Sequence, residues 1–180
     1  MKQLVKFGLT LAAICLMATL VLSVTYAITK PKIDRQHRWE EEAALKEIMP
    51  DADSFSPKAT GGIEYFEARR SGYIVGYCVR VVGYGYNGFI RLITGIDPGG
   101  LIKGVKILEH YETPGLGGRI TETRRNEAGP WFLRQFANRS VDGITVKKDI
   151  DAITGATISS RAVSEAINKT VSEFLARIKA

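Results

Sequence analysis

The sequence predicts an α+β fold: an antiparallel, strand-rich domain with flanking helices, preceded by one membrane-spanning helix. Three observations predict it. Phe7 to Ile28 is a 22-residue run without a charge. From Ile63 to about Leu108 the apolar residues alternate with a period of two, and from Val163 to Ile178 they recur every three or four residues.

Taken in order, residues 1–6 form a short tail and 7–28 the apolar run. At about 1.5 Å per residue the run spans the roughly 30 Å hydrocarbon layer of a bilayer. Signal-peptide cores are shorter, about 7–15 residues, and Thr25-Tyr26-Ala27 is a poor cleavage site, so the run reads as a retained anchor. Lys2 and Lys6 lie before it and Lys30, Lys32, Arg35 and Arg38 after it, so the distribution of positive charge does not choose an orientation. Residues 29–50 read as a juxtamembrane helix and linker, with a kink or boundary permitted at Pro31 and a stop at Pro50. Residues 51–180 form the domain.

Within the domain, Asp51 to Gly62 is a loop by composition. Four strands follow: I-E-Y-F-E-A, Y-I-V-G-Y-C-V-R-V-V, F-I-R-L-I-T-G-I and L-I-K-G-V-K-I-L. Arg69-Arg70-Ser71-Gly72 and Asp97-Pro98-Gly99-Gly100 supply turns, which makes the strands an antiparallel meander. Gly83, Gly85 and Gly88, interleaved with Tyr84 and Tyr86, read as a flexible connection. Arg124 to Phe136 suggests a helix starting near Pro130, and Ile144-Thr145-Val146 a last short strand.

Composition excludes several classes. The chain has 25 Lys+Arg against 19 Asp+Glu, and two of the basic residues precede the apolar run, a modest excess without an RNA-binding motif or basic block. A nucleic-acid partner is therefore not expected. The two cysteines, Cys15 and Cys78, form no CxxC or Cys/His cluster, so zinc, covalent haem and cysteine-bound iron–sulfur centres are not expected. There is no dinucleotide-binding G-x-G-x-x-G after a strand and no evident acid–base pair, so no catalytic residue and no metal ligand is assigned.

Two segments carry candidate chemistry. Asp151 to Ser160, D-A-I-T-G-A-T-I-S-S, gathers Thr154, Gly155, Ala156, Thr157 and Ser159 directly before an amphipathic helix. Val163, Ala166, Ile167, Val171, Phe174, Leu175 and Ile178 make its apolar face. A helix N-terminus offers free N–H groups and the positive end of the helix dipole, which suits a phosphate. The same residues also read as an ordinary helix cap and tight turn. The second segment, H-Y-E-T-P-G-L-G from His110 to Gly117, is a shaped loop by its Pro and Gly content. His110 and Glu112 share an orientation if the strand continues, and could face one cavity.

D-A-I-T-G-A-T-I-S-S resembles the flavinylation motif of the FMN-binding domain family, Asp-x-x-Ser/Thr-Gly-Ala-Thr-x-Ser/Thr, and H-x-E-T-P-G-L-G resembles that family's second signature. The resemblance covers nearly the whole chain. Its length favours the branch of the G subunits of Rnf ion-translocating electron-transport complexes over the C subunits of the sodium-pumping NADH:quinone reductase. The resemblance implies an electron-relay subunit with FMN held covalently, by a phosphoester to Thr157. Cofactor contacts are implied at Asp151, Thr154, Gly155, Ala156, Ser159 and Ser160, the last two meeting phosphate oxygens. In the second loop they are implied at His110, Glu112, Thr113, Pro114, Gly115, Leu116 and Gly117, with Tyr84 and Gly85 as weaker candidates. Lys147 or Lys148 could screen the phosphate. The implied partners are the other subunits of a membrane complex, membrane lipid, and a flavin transferase that uses FAD and magnesium. The implied location is the bacterial cytoplasmic membrane, single-pass, with the domain on the outer side. A membrane-anchored flavin reductase and a non-redox anchor or assembly protein are the alternatives from other classes.

Overall fold

The computed structural model describes residues 2–125, 127–141 and 144–179. Helix α1 runs Lys2–Ile48, and strands β1 Ser54–Thr60, β2 Ile63–Arg70, β3 Tyr73–Tyr84, β4 Phe89–Ile96 and β5 Ile102–His110 follow. A 3-10 turn at Gly117–Thr121, helix α2 at Trp131–Arg134 and helix α3 at Thr157–Lys179 complete the chain. The chain divides into two units, Met1–Glu41 and Glu42–Ala180.

The first unit is helical. Its side chains from Leu4 to Ile28 are exposed, as an apolar helix requires when its solvent is hydrocarbon. α1 is the one helix among the described residues long and apolar enough to cross a membrane. The kink or boundary permitted at Pro31 is not taken: α1 continues through it, and the Pro31 carbonyl accepts from Arg35 Nε at 3.3 Å.

The second unit is an antiparallel meander in the order β1-β2-β3-β4-β5. Two-residue hairpins set its register. Gly61-Gly62 have φ of 54° and 84°, and Ser71-Gly72 have 49° and 86°, the left-handed pair that matches strand twist. At the β4–β5 turn, Asp97 Oδ1 accepts the N–H groups of Gly99 (3.0 Å) and Leu101 (2.9 Å).

The alternation that predicts the strands also divides their side chains between two faces. One face of the sheet, with Tyr65, Val79, Val81 and Leu92, packs on Val163, Ile167, Val171 and Phe174 of α3 and on Phe132 and Phe136 at α2. On the other face Phe66, Ala68, Cys78 and Ile93 are covered by Leu45, Ile48 and Met49. Residues assigned to the linker by sequence therefore belong to the domain's packing. Burial pushes the Cys78 thiol up to about 12, which keeps it neutral and inert.

Four local expectations are corrected. Asp51 to Gly62 is not a loop: β1 pairs along its length with β2, Ser54 opposite Arg69 through Thr60 opposite Ile63. Pro57 fits because β1 is an edge strand, where its missing N–H takes nothing from the ladder. Gly83 and Tyr84 belong to β3, so the flexible connection shrinks to residues 85–88, closed by Gly85 N–H to Gly88 O at 2.8 Å. The Arg124–Phe136 helix is only Trp131–Arg134. It begins next to Pro130, as expected; the described residues among 124–129 form no helix, and Pro130 itself is extended at ψ 118°. Ile144-Thr145-Val146 forms no strand. Thr145 N–H turns to Asp149 Oδ2 (2.9 Å), leaving a single bridge from Val146 to Ile150. At the opposite edge from β1, residues 138–140 partly cover β5: Ile102 N–H bonds Arg139 O (2.9 Å) and Asn138 N–H bonds Ile102 O (2.7 Å).

Glu67 on β2 is buried and accepts from Lys58 Nζ (2.6 Å) and Arg69 Nη2 (2.8 Å). Hydrogen bonds from Lys58 and then Arg69 hold its carboxyl below its ordinary value against the opposing effect of burial. The folded carboxyl thus binds its proton less readily than the unfolded one. Its contribution is complete above the unfolded value of about 4.3 and is lost as pH falls through the folded value. Thermal melts across that acid range are expected to fall more steeply for the native chain than for Glu67→Gln; parallel curves would contradict this.

Candidate functional site

The helix predicted after D-A-I-T-G-A-T begins at Thr157. The segment before it is folded by bonds that its own side chains and one neighbour supply. Gln135 clamps the Asp151 backbone, accepting its N–H at 2.8 Å and donating to its carbonyl at 3.2 Å. Ile153 is fully buried. Its N–H bonds Ser160 Oγ (3.0 Å), and Ser160 Oγ in turn donates to Ala156 O (3.0 Å). Between the buried Ile153 and Ala156, Thr154 and Gly155 bulge into solvent, with Gly155 at φ 80°, a conformation that favours glycine.

Thr157 is half-buried, and its hydroxyl makes no hydrogen bond to another described residue. The first amide of α3 to find a helical acceptor is that of Ser160. The N–H groups of Thr157, Ile158 and Ser159 have no acceptor among the described residues. An anion there meets three donors and the positive end of a 23-residue helix.

The loop after β5 lies beside this turn. His110 ends the strand, so the shared orientation of His110 and Glu112 that a continuing strand would give does not arise. Glu112 is instead buried and turned inward. Its Oε1 accepts Asn87 N–H at 3.1 Å and its Oε2 accepts Ser159 O–H at 2.5 Å. A Cβ at Gly85 or Gly117 would run into this carboxylate, so both glycines are required by close approach. Asn87 Nδ2 adds a bond to Tyr111 O at 2.8 Å. Glu112 thereby ties three segments distant in sequence: the β3–β4 turn, the loop after β5 and the start of α3. His110 Nδ1 is buried and has no partner among the described residues.

The remaining loop residues are held by Thr113 O, which accepts the N–H groups of Leu116 (3.2 Å) and Gly118 (3.0 Å). Thr113, Pro114, Gly115 and Leu116 are exposed. Leu116 Cδ2 lies 3.6 Å from where a Gly155 side chain would begin, so the tips of the two predicted segments meet. Leu116, Ile158, Tyr84, Tyr86 and Tyr111 are all exposed. Of these, Leu116 and Ile158 border the anion site, an apolar margin that suits a ligand with a phosphate at one end and a flat ring at the other. Tyr84 follows Gly83, which faces α3, and so points to the opposite face of the sheet, where Tyr111 packs on Phe89.

Not every predicted contact is placed as expected. The hydroxyls of Ser159 and Ser160 are buried and committed to Glu112, and to Ile153 and Ala156, so they shape the turn rather than face a ligand. Lys147 and Lys148 are exposed on a tight turn with Lys147 at φ 75°. Sequence reasoning missed Asn87 and Gln135. Their polarity in a turn and beside a short helix was visible, but their targets lie 24 and 16 residues away.

A family model described as the FMN-binding domain matches residues 85–172, and one described as the RnfG N-terminal region matches residues 1–48. The chain is 33% identical over 183 residues to the G subunit of the ion-translocating oxidoreductase complex of Methanosarcina acetivorans, covering 94% of each chain. The chain belongs to the family of G subunits of ion-translocating oxidoreductase complexes. Another member, the G subunit of the proton-translocating ferredoxin:NAD(+) oxidoreductase complex of Clostridium ljungdahlii, is 30% identical over 88% of this chain and 85% of the relative. In fold, this RnfG-family chain is similar to the crystal structure of Shewanella oneidensis NqrC, with a TM-score of 0.50 at 22% identity over 71% of this chain and 72% of that one. The region matched by the RnfG N-terminal model contains the apolar part of α1, in keeping with a single-pass membrane protein.

Proposed function

We propose that this chain is the electron-relay subunit of an Rnf-type membrane complex, carrying FMN as a phosphoester on Thr157 and exchanging electrons with partner subunits. The observation that carries this reading is the start of α3. A free hydroxyl, three unpaired N–H groups and a helix dipole coincide there, inside a turn locked to the adjacent loop through Glu112. When bound, FMN supplies redox chemistry that no side chain here offers.

The hydroxyl of Thr157 is a weak nucleophile, so attachment calls for a flavin transferase with FAD and magnesium. The bond formed joins Thr157 Oγ1 to the flavin-side phosphorus of FAD. The pyrophosphate P–O bond breaks, AMP leaves, and the hydroxyl proton passes to water. Thr154 and Gly155, exposed at the tip of the turn, and Asp151 are then the residues a transferase reads. The N–H groups of Thr157 to Ser159 would hold the phosphate, and Leu116 and Ile158 would flank the ring. A covalent tether keeps the cofactor in place through repeated one-electron cycles. Resemblance to the family supports placing the domain on the outer face of the cytoplasmic membrane, with α1 as its anchor in lipid.

Intact mass and peptide mapping, after coexpression with a flavin transferase and export of the domain, test the reading. The Thr157 peptide is expected to gain the mass of FMN less water, and Thr157→Ala to lose it completely. A colourless, unmodified chain under those conditions would sink the relay reading in favour of a non-redox anchor protein.

A further inference from the structure

On the Thr154 side of the attachment turn lies a second cleft, of about 600 Å³, that the reading above leaves unused. Arg119, Arg124 and Arg134 line it from three different segments, together with Trp131, Asp151 and Thr154. The three guanidinium groups are unequally engaged. Arg119 Nε bonds Glu122 at 2.7 Å, whereas Arg134 has only a 3.8 Å approach to Glu127. Arg124 has no carboxylate partner among the described residues; it stacks 4.0 Å over the Trp131 ring. Stacking holds a guanidinium plane in place while leaving its in-plane N–H groups free to donate. Beneath it, the Trp131 Nε1 donor is buried with no acceptor among the described residues. An unpaired buried donor is costly, so the idle Trp131 Nε1, beneath an exposed guanidinium that no carboxylate engages, points to a missing acceptor.

We propose that this cleft is a phosphate-binding site sized for a nucleoside monophosphate. Arginine forks match phosphate oxygens in pairs, and the cleft is far larger than a lone phosphate needs. Its basic lining exceeds its acidic lining, Glu127 and Asp151, by one charge, which suits a monoester rather than a polyphosphate. The wall formed by Asp151, Ala152 and Thr154 belongs to the attachment segment. AMP, the product released as Thr157 takes its phosphoester, is therefore the ligand of this class at hand. That identity rests on the attachment reading; the anion site rests on the cleft alone.

Titration calorimetry of the full chain in detergent, with Thr157 unmodified, tests the site with AMP, inorganic phosphate and adenosine as probes. AMP is expected to bind, adenosine not to, and inorganic phosphate to bind more weakly than AMP. Arg124→Gln and Arg134→Gln are each expected to weaken AMP by about tenfold, the size of one charge-assisted contact. Trp131→Phe keeps the stacking and removes the Nε1 donor, so a smaller loss is expected. Thermal melts of each variant separate lost binding from lost folding. Equal binding of AMP and adenosine, AMP binding unchanged by Arg124→Gln, or phosphate binding as tightly as AMP would overturn the proposal. AMP binding in a chain that the transferase leaves unmodified would retain the site and remove only its link to attachment.

Discussion

Replacing Glu112 with alanine is expected to destabilise the domain by about 2–4 kcal/mol and to remove most flavin attachment at Thr157. The substitution orphans two donors at once, the Asn87 N–H and the buried Ser159 hydroxyl, and each such loss costs about 1–3 kcal/mol. It also cuts the only side chain that bonds both the β3–β4 turn and the first turn of α3 among the described residues. Glu112→Gln sharpens the test. Its carbonyl oxygen can still accept from Asn87 while its amide donates to Ser159 Oγ, since a hydroxyl both gives and receives. About 1 kcal/mol or less is expected for glutamine, with attachment largely kept. Denaturant unfolding and flavin-to-protein ratio measure the two effects. Glutamine as damaging as alanine would show that negative charge, not hydrogen-bond geometry, is what Glu112 contributes.

The second large effect is at Phe174. Its ring is fully buried, 4.8 Å from that of Tyr65 and 5.5 Å from that of Tyr77, where α3 packs on the sheet. Phe174→Ala removes an aromatic side chain from a close-packed interior, an expected loss of about 3–5 kcal/mol. A domain of this size has only about 5–15 kcal/mol to lose. Because α3 carries Thr157 at its other end, loosening its packing is also expected to lower attachment, though less than removing Glu112. A urea midpoint within experimental error of the native chain would contradict the packing of α3 against β2 and β3.

The residues whose structure was legible in the sequence are those whose neighbours impose a period. Tyr73 to Val82 sends successive residues to opposite faces of the sheet, Val79 and Val81 onto α3 and Cys78 beneath Ile48 and Met49. Val163 to Ile178 buries one face, so the periods of two and of three or four are written into the chain. Thr157 at the head of α3 is marked instead by the hydroxyl and glycine residues that precede the stripe, which begins only at Val163. β1 was illegible because S-F-S-P-K-A-T has no alternation of its own: its strand is specified by β2, which supplies all its ladder partners. The site was legible as two segments but not as a connected whole. Local sequence shows Glu112 as a polar residue in a loop. That it is buried, and spans to Asn87 and Ser159, is a property of three chain segments that only folding brings together.

The two edges of the sheet bear on how the domain can join other proteins. At β1 a proline interrupts the outward row of amide donors, and the Lys58 ammonium crosses to Glu67 on the neighbouring strand. At β5 the chain's own residues 138–140 already occupy part of the row. Neither margin offers a long, flat template for another polypeptide to extend the sheet. Association with neighbours in a complex must then proceed through side chains and loop tips rather than by strand addition. The domain can crowd against other proteins at a membrane surface without being drawn into indiscriminate backbone pairing.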